Sequence, residues 1–239
     1  MAKQALKRPT PRKEPPPVQP PKKVDTTPEF FFDVEQGSEE WFTLRLGIPT
    51  ASVFGIIMAD GRDGEPSKTR TQLMRVLAGE QLTGMPGEGK IVTAAMERGK
   101  EMEPEAVEQY VNRHFDVEAR EVGFVRRRLP SGNFVGCSPD RLIGDRKALE
   151  VKTMRPDLLI ERLEKGAGMP SEHKAQVQGT MWVADLAEVD LVLFYRGFPV
   201  SPKFTCVRDD HYIAALARAV EIFEFETRQL VAKIRSMGS

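Results

Sequence analysis

Cysteine is nearly absent: Cys137 and Cys206 are the two in 239 residues. Two thiols build no disulfide framework and cannot supply the four thiolates of an iron–sulfur cluster, which suits a reducing cytosol. Histidine is almost as scarce, and His114, His173 and His211 lie far apart with no Cys partner at ligand spacing, which argues against zinc. No apolar run approaches the ~20 residues that span a bilayer, and no apolar stretch follows the basic N-terminus as a secretory signal would require. The expectation is a cytoplasmic protein without a membrane anchor. An excess of one charge is missing too: 35 Lys and Arg stand against 35 Asp and Glu. Binding to a polyanion must then come from local clusters. Residues Gly84-Met85-Pro86-Gly87-Glu88-Gly89-Lys90 imitate a phosphate-binding loop, but Ile91 stands where a magnesium-ligating hydroxyl belongs, and a helix precedes the stretch instead of a strand. That excludes an ATP site.

Present instead is the composition of a globular protein, 40% hydrophobic and 29% charged, long enough for one sizeable core. The first 28 residues stand apart, with eight of the 18 prolines and seven Lys or Arg against two acids. Proline blocks helices and sheet ladders, and few apolar side chains offset the ordering entropy. Residues 1–28 are expected to be a disordered arm, either a solvated tail or a tether to DNA phosphates or a partner protein.

Beyond the arm the pattern is α/β. Ser38 reads as the N-cap of a helix ending near Gly47, Thr50 starts a short helix, and Ser67 caps one running to about Gly84. Residues 92–114 read as helical, with Pro104 as a candidate kink. Strands are expected over 117–128, 134–143, 148–153, 189–195 and 203–207. A loop over 162–171, of the kind that varies in length and flexible at Gly166-Ala167-Gly168, leads to a helix over 172–184. Asp209 opens a final helix whose Ile213, Leu216, Val220, Phe223, Leu230 and Ile234 recur at helical spacing. A mixed sheet flanked by helices follows.

One hairpin carries the chemistry. Ser138-Pro139-Asp140 is followed, across a turn at Gly144-Asp145-Arg146-Lys147, by Leu149-Glu150-Val151-Lys152. Glu150 and Lys152 are two apart and share one face of a strand, with Leu149 and Val151 on the other. The turn folds Asp140 back towards Glu150. Two converging carboxylates suit a hard cation, and the ammonium suits an attacking water or a phosphoryl charge. The same string also fits an ordinary solvated strand face.

With Trp41–Ser52 (WFTLRLGIPTAS), Arg98-Gly99-Lys100-Glu101-Met102-Glu103 and Ala175–Trp182 (AQVQGTMW) in order around the hairpin, the chain resembles the phage lambda-type exonucleases, the YqaJ-like viral recombinases. The likeness covers roughly residues 35–235. It implies a restriction-endonuclease-like core, a central mixed β-sheet flanked by helices, and a nuclease domain over 29–239. It implies a Mg2+ site, with Mn2+ as substitute, at Asp140, Glu150, the Val151 carbonyl and Glu103. Lys152 would position or activate the water, and Gln176 would sit beside the centre. Without the resemblance, Glu103 is one of several surface acids beside Glu97, Glu101, Glu105 and Glu108.

The resemblance further implies a pocket for a 5′-phosphate at Arg45, Ser52, Ser138 and Gln176. A guanidinium matches phosphate bidentately, although Arg45 also fits a helix C-terminal cation and the serines fit local caps. The loop of Asp60–Pro66 and the nearby Arg62, Lys68 and Arg70 are candidate DNA contacts. In the second basic cluster, Arg126-Arg127-Arg128, at most two side chains can share a strand face. Arg141, where the family often has a small residue, is expected to crowd or charge the rim of a DNA channel, and Thr153 stands where Cys-Pro is frequent. The implied activity is digestion of the 5′-terminated strand of linear duplex DNA into mononucleotides, leaving a 3′ overhang for a strand-annealing partner. A homotrimeric ring and a phage or prophage setting come from the resemblance alone. An endonuclease on the same centre and a non-catalytic DNA-end scaffold are the rival readings.

Overall fold

The computed structural model describes residues 24–59, 61, 65–87, 94–114 and 117–238. The expected arm falls largely outside these, as do Arg62 and the end of the loop that imitates a phosphate-binding motif.

Ser38 accepts a hydrogen bond from the Trp41 N–H at 3.2 Å and starts helix α1 (Glu39–Arg45). A 3-10 turn over Ala51–Val53 leads into α2 (Phe54–Met58). Ser67 caps α3 (Lys68–Thr83), which stops at the left-handed Gly84. Helix α4 (Ala94–Arg113) runs through Pro104. These elements lie where capping chemistry and periodicity put them.

The strands differ from expectation. The stretch 117–128 divides into β2 (Ala119–Arg120) and β3 (Phe124–Arg128), and 134–143 into β4 (Phe134–Cys137) and β5 (Arg141–Ile143). With β1 (Glu29–Phe31), β6 (Lys147–Thr153), β7 (Glu188–Phe194) and β8 (Lys203–Val207), they form two sheets. A three-stranded antiparallel sheet has the order β1-β3-β4. A five-stranded mixed sheet has the order β2-β5-β6-β7-β8, in which only β6 and β7 are parallel. The chain passes directly from a strand of one sheet to a strand of the other at two points. At Gly123 the Val34 backbone passes so close that an added Cβ would lie 1.8 Å from Val34 O. At Ser138-Pro139 the proline has no N–H for a ladder.

A parallel pair needs a crossover. Here it contains α5 (Pro156–Glu164) and α6 (Lys174–Ala184), the latter entered through a 3-10 turn over Ser171–His173. Helix α5 was not expected and takes the first part of the predicted loop. Pro156 at its first turn and the buried Leu159 account for it. Helix α7 (Asp210–Ser236) follows the Asp209 cap, as expected. Its stripe is core through Phe223, but Leu230 is half-buried and Ile234 exposed, and Val231 takes the inward position.

Alternation along β6 separates two apolar clusters. Ala148 joins Val189, Leu191, Met181, Leu216 and Phe223 on the side of α6 and α7. Leu149 joins Val192, Phe194, Met102, Ala106 and Tyr110 beneath α4. Each fully buried Leu or Phe contributes roughly 1.5–3 kcal/mol. Glu150 lies in phase with Ala148, so packing directs it and Lys152 towards α6. Among the described residues, no helix is long and apolar enough to cross a membrane.

Candidate active site

The hairpin of β5 and β6 brings the predicted residues together. Asp140 Oδ2 accepts the Val151 N–H at 2.6 Å. Glu150 Oε1 accepts from Lys152 Nζ at 2.7 Å and from Gln176 Nε2, on α6, at 2.5 Å. Glu103, on α4, accepts from Arg141 Nη1 at 3.3 Å. Gln36 holds the crossing segment in place by donating to the carbonyls of Val122 and Pro139.

Burial, reinforced by Glu150 and Glu103, pushes the Asp140 carboxyl well above the usual range. Burial also raises Glu103, with Arg141 opposing and Glu150 assisting. For Lys152 burial works against the charge, yet Glu150, Asp140 and Glu103 hold its pKa above the ordinary value. Lys152 is therefore an ammonium here, suited to orienting a water or offsetting negative charge.

Among the described residues, no three acidic, histidine or cysteine side chains already close around one point. The hydrogen bonds show what holds them. Each of the three carboxylates has one oxygen engaged by the protein and one without a hydrogen-bond partner among the described residues: Asp140 Oδ1, Glu150 Oε2 and Glu103 Oε2. Mutually repelling carboxylates with free oxygens fit a hard divalent cation.

A second constellation adjoins the first. Arg45 Nη1 donates to Ser138 Oγ at 3.1 Å and Nη2 to Thr50 Oγ1 at 3.3 Å, and Thr50 Oγ1 is 3.1 Å from Ser52 Oγ. The Arg45 guanidinium lies over the Trp41 ring, 4.1 Å from its centroid. Trp41 Nε1 donates to Ser138 Oγ at 3.0 Å. Ser138 Oγ thus accepts twice, which leaves its own proton to donate. No carboxylate reaches salt-bridge distance of Arg45 among the described residues, and burial lowers its pKa to about 10, still charged at neutral pH. A desolvated cation ringed by hydroxyls and an indole lacks an anion. Glu80 and Gln81 on α3 brace the turn behind it, through Gly47 N–H at 2.8 Å and Gly47 O at 2.7 Å.

The remaining basic residues divide. Lys68 is exposed, on an open cavity of about 500 Å³ shared with Pro66, Thr69, Thr71, Gln72 and Arg75. Arg70 is buried instead, paired with Glu226 at 2.7 Å and 5.1 Å from the Phe223 centroid, so its charge serves the contact between α3 and α7. Arg126 and Arg128 share a face of β3 around Phe134, while Arg127 turns away to the Val183 carbonyl. Arg141 folds back between Glu103 and Glu121, with its side chain largely covered.

The family model of the YqaJ-like viral recombinase domain matches residues 40–187, more than half the chain. The chain belongs to the YqaJ-like viral recombinase family. The match takes in both constellations and stops short of β7, β8 and α7. Among solved structures, the chain is similar to the alkaline exonuclease LHK-Exo from Laribacter hongkongensis, with 29% identity over 84% of this chain and 98% of that one at a TM-score of 0.72. It is similar to the same protein in complex with dAMP, with 29% identity, the same coverage and a TM-score of 0.73. A phage-related exonuclease from Haemophilus somnus 129PT shares the fold, with 18% identity over 80% of this chain and 98% of that one and a TM-score of 0.57. No curated protein matches.

Reasoning from sequence missed Trp41, Thr50 and Gln36, and the role of Arg141. Trp41 and Thr50 lay inside the WFTLRLGIPTAS motif, so helical spacing between Trp41 and Arg45 was a usable signal. Gln36 left none.

Proposed function

We propose that this YqaJ-family protein is a divalent-metal-dependent 5′-to-3′ exonuclease on linear double-stranded DNA, releasing mononucleotides and leaving a 3′ single-stranded overhang. Its similarity to an alkaline exonuclease, one form of which holds dAMP, supports the reaction class and a nucleotide product. The observation that carries the reading is Arg45: a half-buried guanidinium with no carboxylate partner among the described residues, bonded to Ser138 two residues before Asp140. Two residues span at most about 7 Å, so a terminal phosphate bound at Arg45 sits beside the carboxylate centre. That is the arrangement an end-directed nuclease needs.

Asp140, Glu150, Glu103 and the Val151 carbonyl are the residues that would hold Mg2+, or Mn2+ in its place. A divalent cation bound there supplies Lewis acidity towards a phosphoryl oxygen and lowers the pKa of a water. Lys152 orients the attacking water and offsets charge at phosphorus. Gln176, already on Glu150, donates its amide to water or phosphate. Arg45, Ser138 and Ser52 hold the 5′-phosphate, with Trp41 beneath the guanidinium and Thr50 linking it to Ser52. The product strand would pass to an annealing protein during phage recombination in a bacterial cytoplasm, and a ring of three chains would keep DNA enclosed.

The test uses the full chain with Mg2+, a linear duplex and a covalently closed circle. Mononucleotides from the linear duplex and an intact circle are expected. Nicking of the circle would favour an endonuclease, and binding without cleavage a scaffold.

A further inference from the structure

We propose that Glu80 is a positioning residue for the phosphate pocket: from α3 its carboxylate fixes the turn that carries Arg45 and balances the guanidinium charge without pairing with it. This rests on the reading of Arg45 as the residue that holds a terminal phosphate.

Glu80 is 3% exposed, yet no cation among the described residues reaches ion-pair distance of it. A buried carboxylate is costly unless something answers its charge. Here the backbone does so in part. Oε2 accepts the Gly47 N–H at 2.8 Å and Oε1 the Gly87 N–H at 3.0 Å. A carboxylate accepts at both oxygens, whereas a glutamine amide would turn a donor towards one of the two N–H groups. The neighbouring Gln81 donates to the Gly47 carbonyl at 2.7 Å, so both polar groups of Gly47 are held from α3.

Gly47 stands two residues after Arg45, the last residue of α1. Its backbone is left-handed, with φ +68°, and an added Cβ would lie 2.6 Å from Gln81 Cγ. The Ile48 N–H returns to the Arg45 carbonyl at 3.4 Å, and the Gly136 N–H donates to the Pro49 carbonyl at 3.1 Å. The turn is thus tied on one side to α3 and on the other to β4, the strand that leads into Ser138. Arg45 reaches Ser138 and Thr50 from that turn. Burial lowers the Arg45 pKa, and the Glu80 charge opposes that. A carboxylate in direct contact would occupy the guanidinium that must receive a phosphate. One engaged by the Gly47 and Gly87 backbones favours the charged form of Arg45 and leaves its remaining donors for an anion.

The test is the ratio of kcat/KM for linear duplexes with a 5′-phosphate and a 5′-hydroxyl, measured on the full chain with Mg2+ in wild type, Glu80→Gln and Glu80→Asp. Glu80→Gln should reduce the ratio at least about fivefold, because a slightly misplaced binding group loses that much or more. The loss should appear in KM for the phosphorylated duplex. Glu80→Asp, which keeps the charge on a shorter arm, should fall between Glu80→Gln and wild type. Parallel losses on both duplexes, with the ratio at its wild-type value, would mark a merely structural brace and overturn the inference. If Glu80→Gln fails to fold, the Glu80→Asp ratio decides alone, and a wild-type value there overturns the inference as well. A wild type that prefers neither duplex would instead sink the reading of Arg45 on which the inference rests.

Discussion

Asp140 Oδ2 accepts the Val151 N–H at 2.6 Å, so the acid entering one strand of the hairpin is latched to the backbone of the other. That bond places Asp140 beside Glu150 and Lys152, the neighbours of Val151. Asp140→Asn keeps an acceptor for the N–H while removing the charge. It should fold normally and lose at least about 100-fold in nucleotide release, as expected when metal charge stabilisation worth several kcal/mol is lost. Wild-type turnover in this variant would contradict its role.

Metal should also stabilise the fold. An ion that binds only the folded state adds about 2.7 kcal/mol at a hundred times its dissociation constant. Mg2+ should therefore raise the melting temperature of wild type and leave Asp140→Asn unmoved. Equal shifts in both would place the binding elsewhere.

Gly179 lets α6 lie against α2. A Cβ there would fall 2.4 Å from the ring of the fully buried Phe54. Gly179→Ala should cost about 1–3 kcal/mol by overpacking, read from urea unfolding. It should also lower activity, because Gln176 is carried on the same helix. Unchanged stability would mean that the helix can slide without penalty.

Acid sensitivity should trace in part to Asp190, buried in β7 away from the active site. Burial works to raise its pKa, but hydrogen bonds from Thr205 at 2.6 Å and Tyr110 at 2.7 Å, with Lys147 and Lys203 nearby, leave it below the ordinary 3.8. A depressed folded pKa gives stability that is complete above the unfolded value and lost as pH falls through the folded one. Asp190→Asn should lose about 1–3 kcal/mol at neutral pH and show a shallower decline below pH 4. Parallel acid limbs in the two proteins would contradict this.

The hairpin was legible because strand alternation and turn chemistry are local: Glu150 and Lys152 share a face whatever surrounds them. Helix ends at Ser38, Ser67 and Asp209 were legible for the same reason. The split into two sheets was not, because it depends on the Val34 backbone reaching Gly123, a contact between distant segments. Arg70 and Arg141 read as solvent-facing cations because nothing local reveals a partner. Their partners, Glu226 and the pair Glu103 and Glu121, come from other elements. The grouping of Arg45 with Ser52 and Ser138 came from resemblance alone, and Thr50 and Trp41 are the links that spacing did not supply.

If Arg45 reads a terminal phosphate, the ratio of kcat/KM for linear duplexes bearing a 5′-phosphate or a 5′-hydroxyl should differ between wild type and Arg45→Ala. A charge-assisted hydrogen bond is worth about 1.5–3 kcal/mol, so wild type should prefer the phosphate by roughly 10–100-fold. Arg45→Ala should bring that ratio close to one. An equal preference in both proteins would contradict the account.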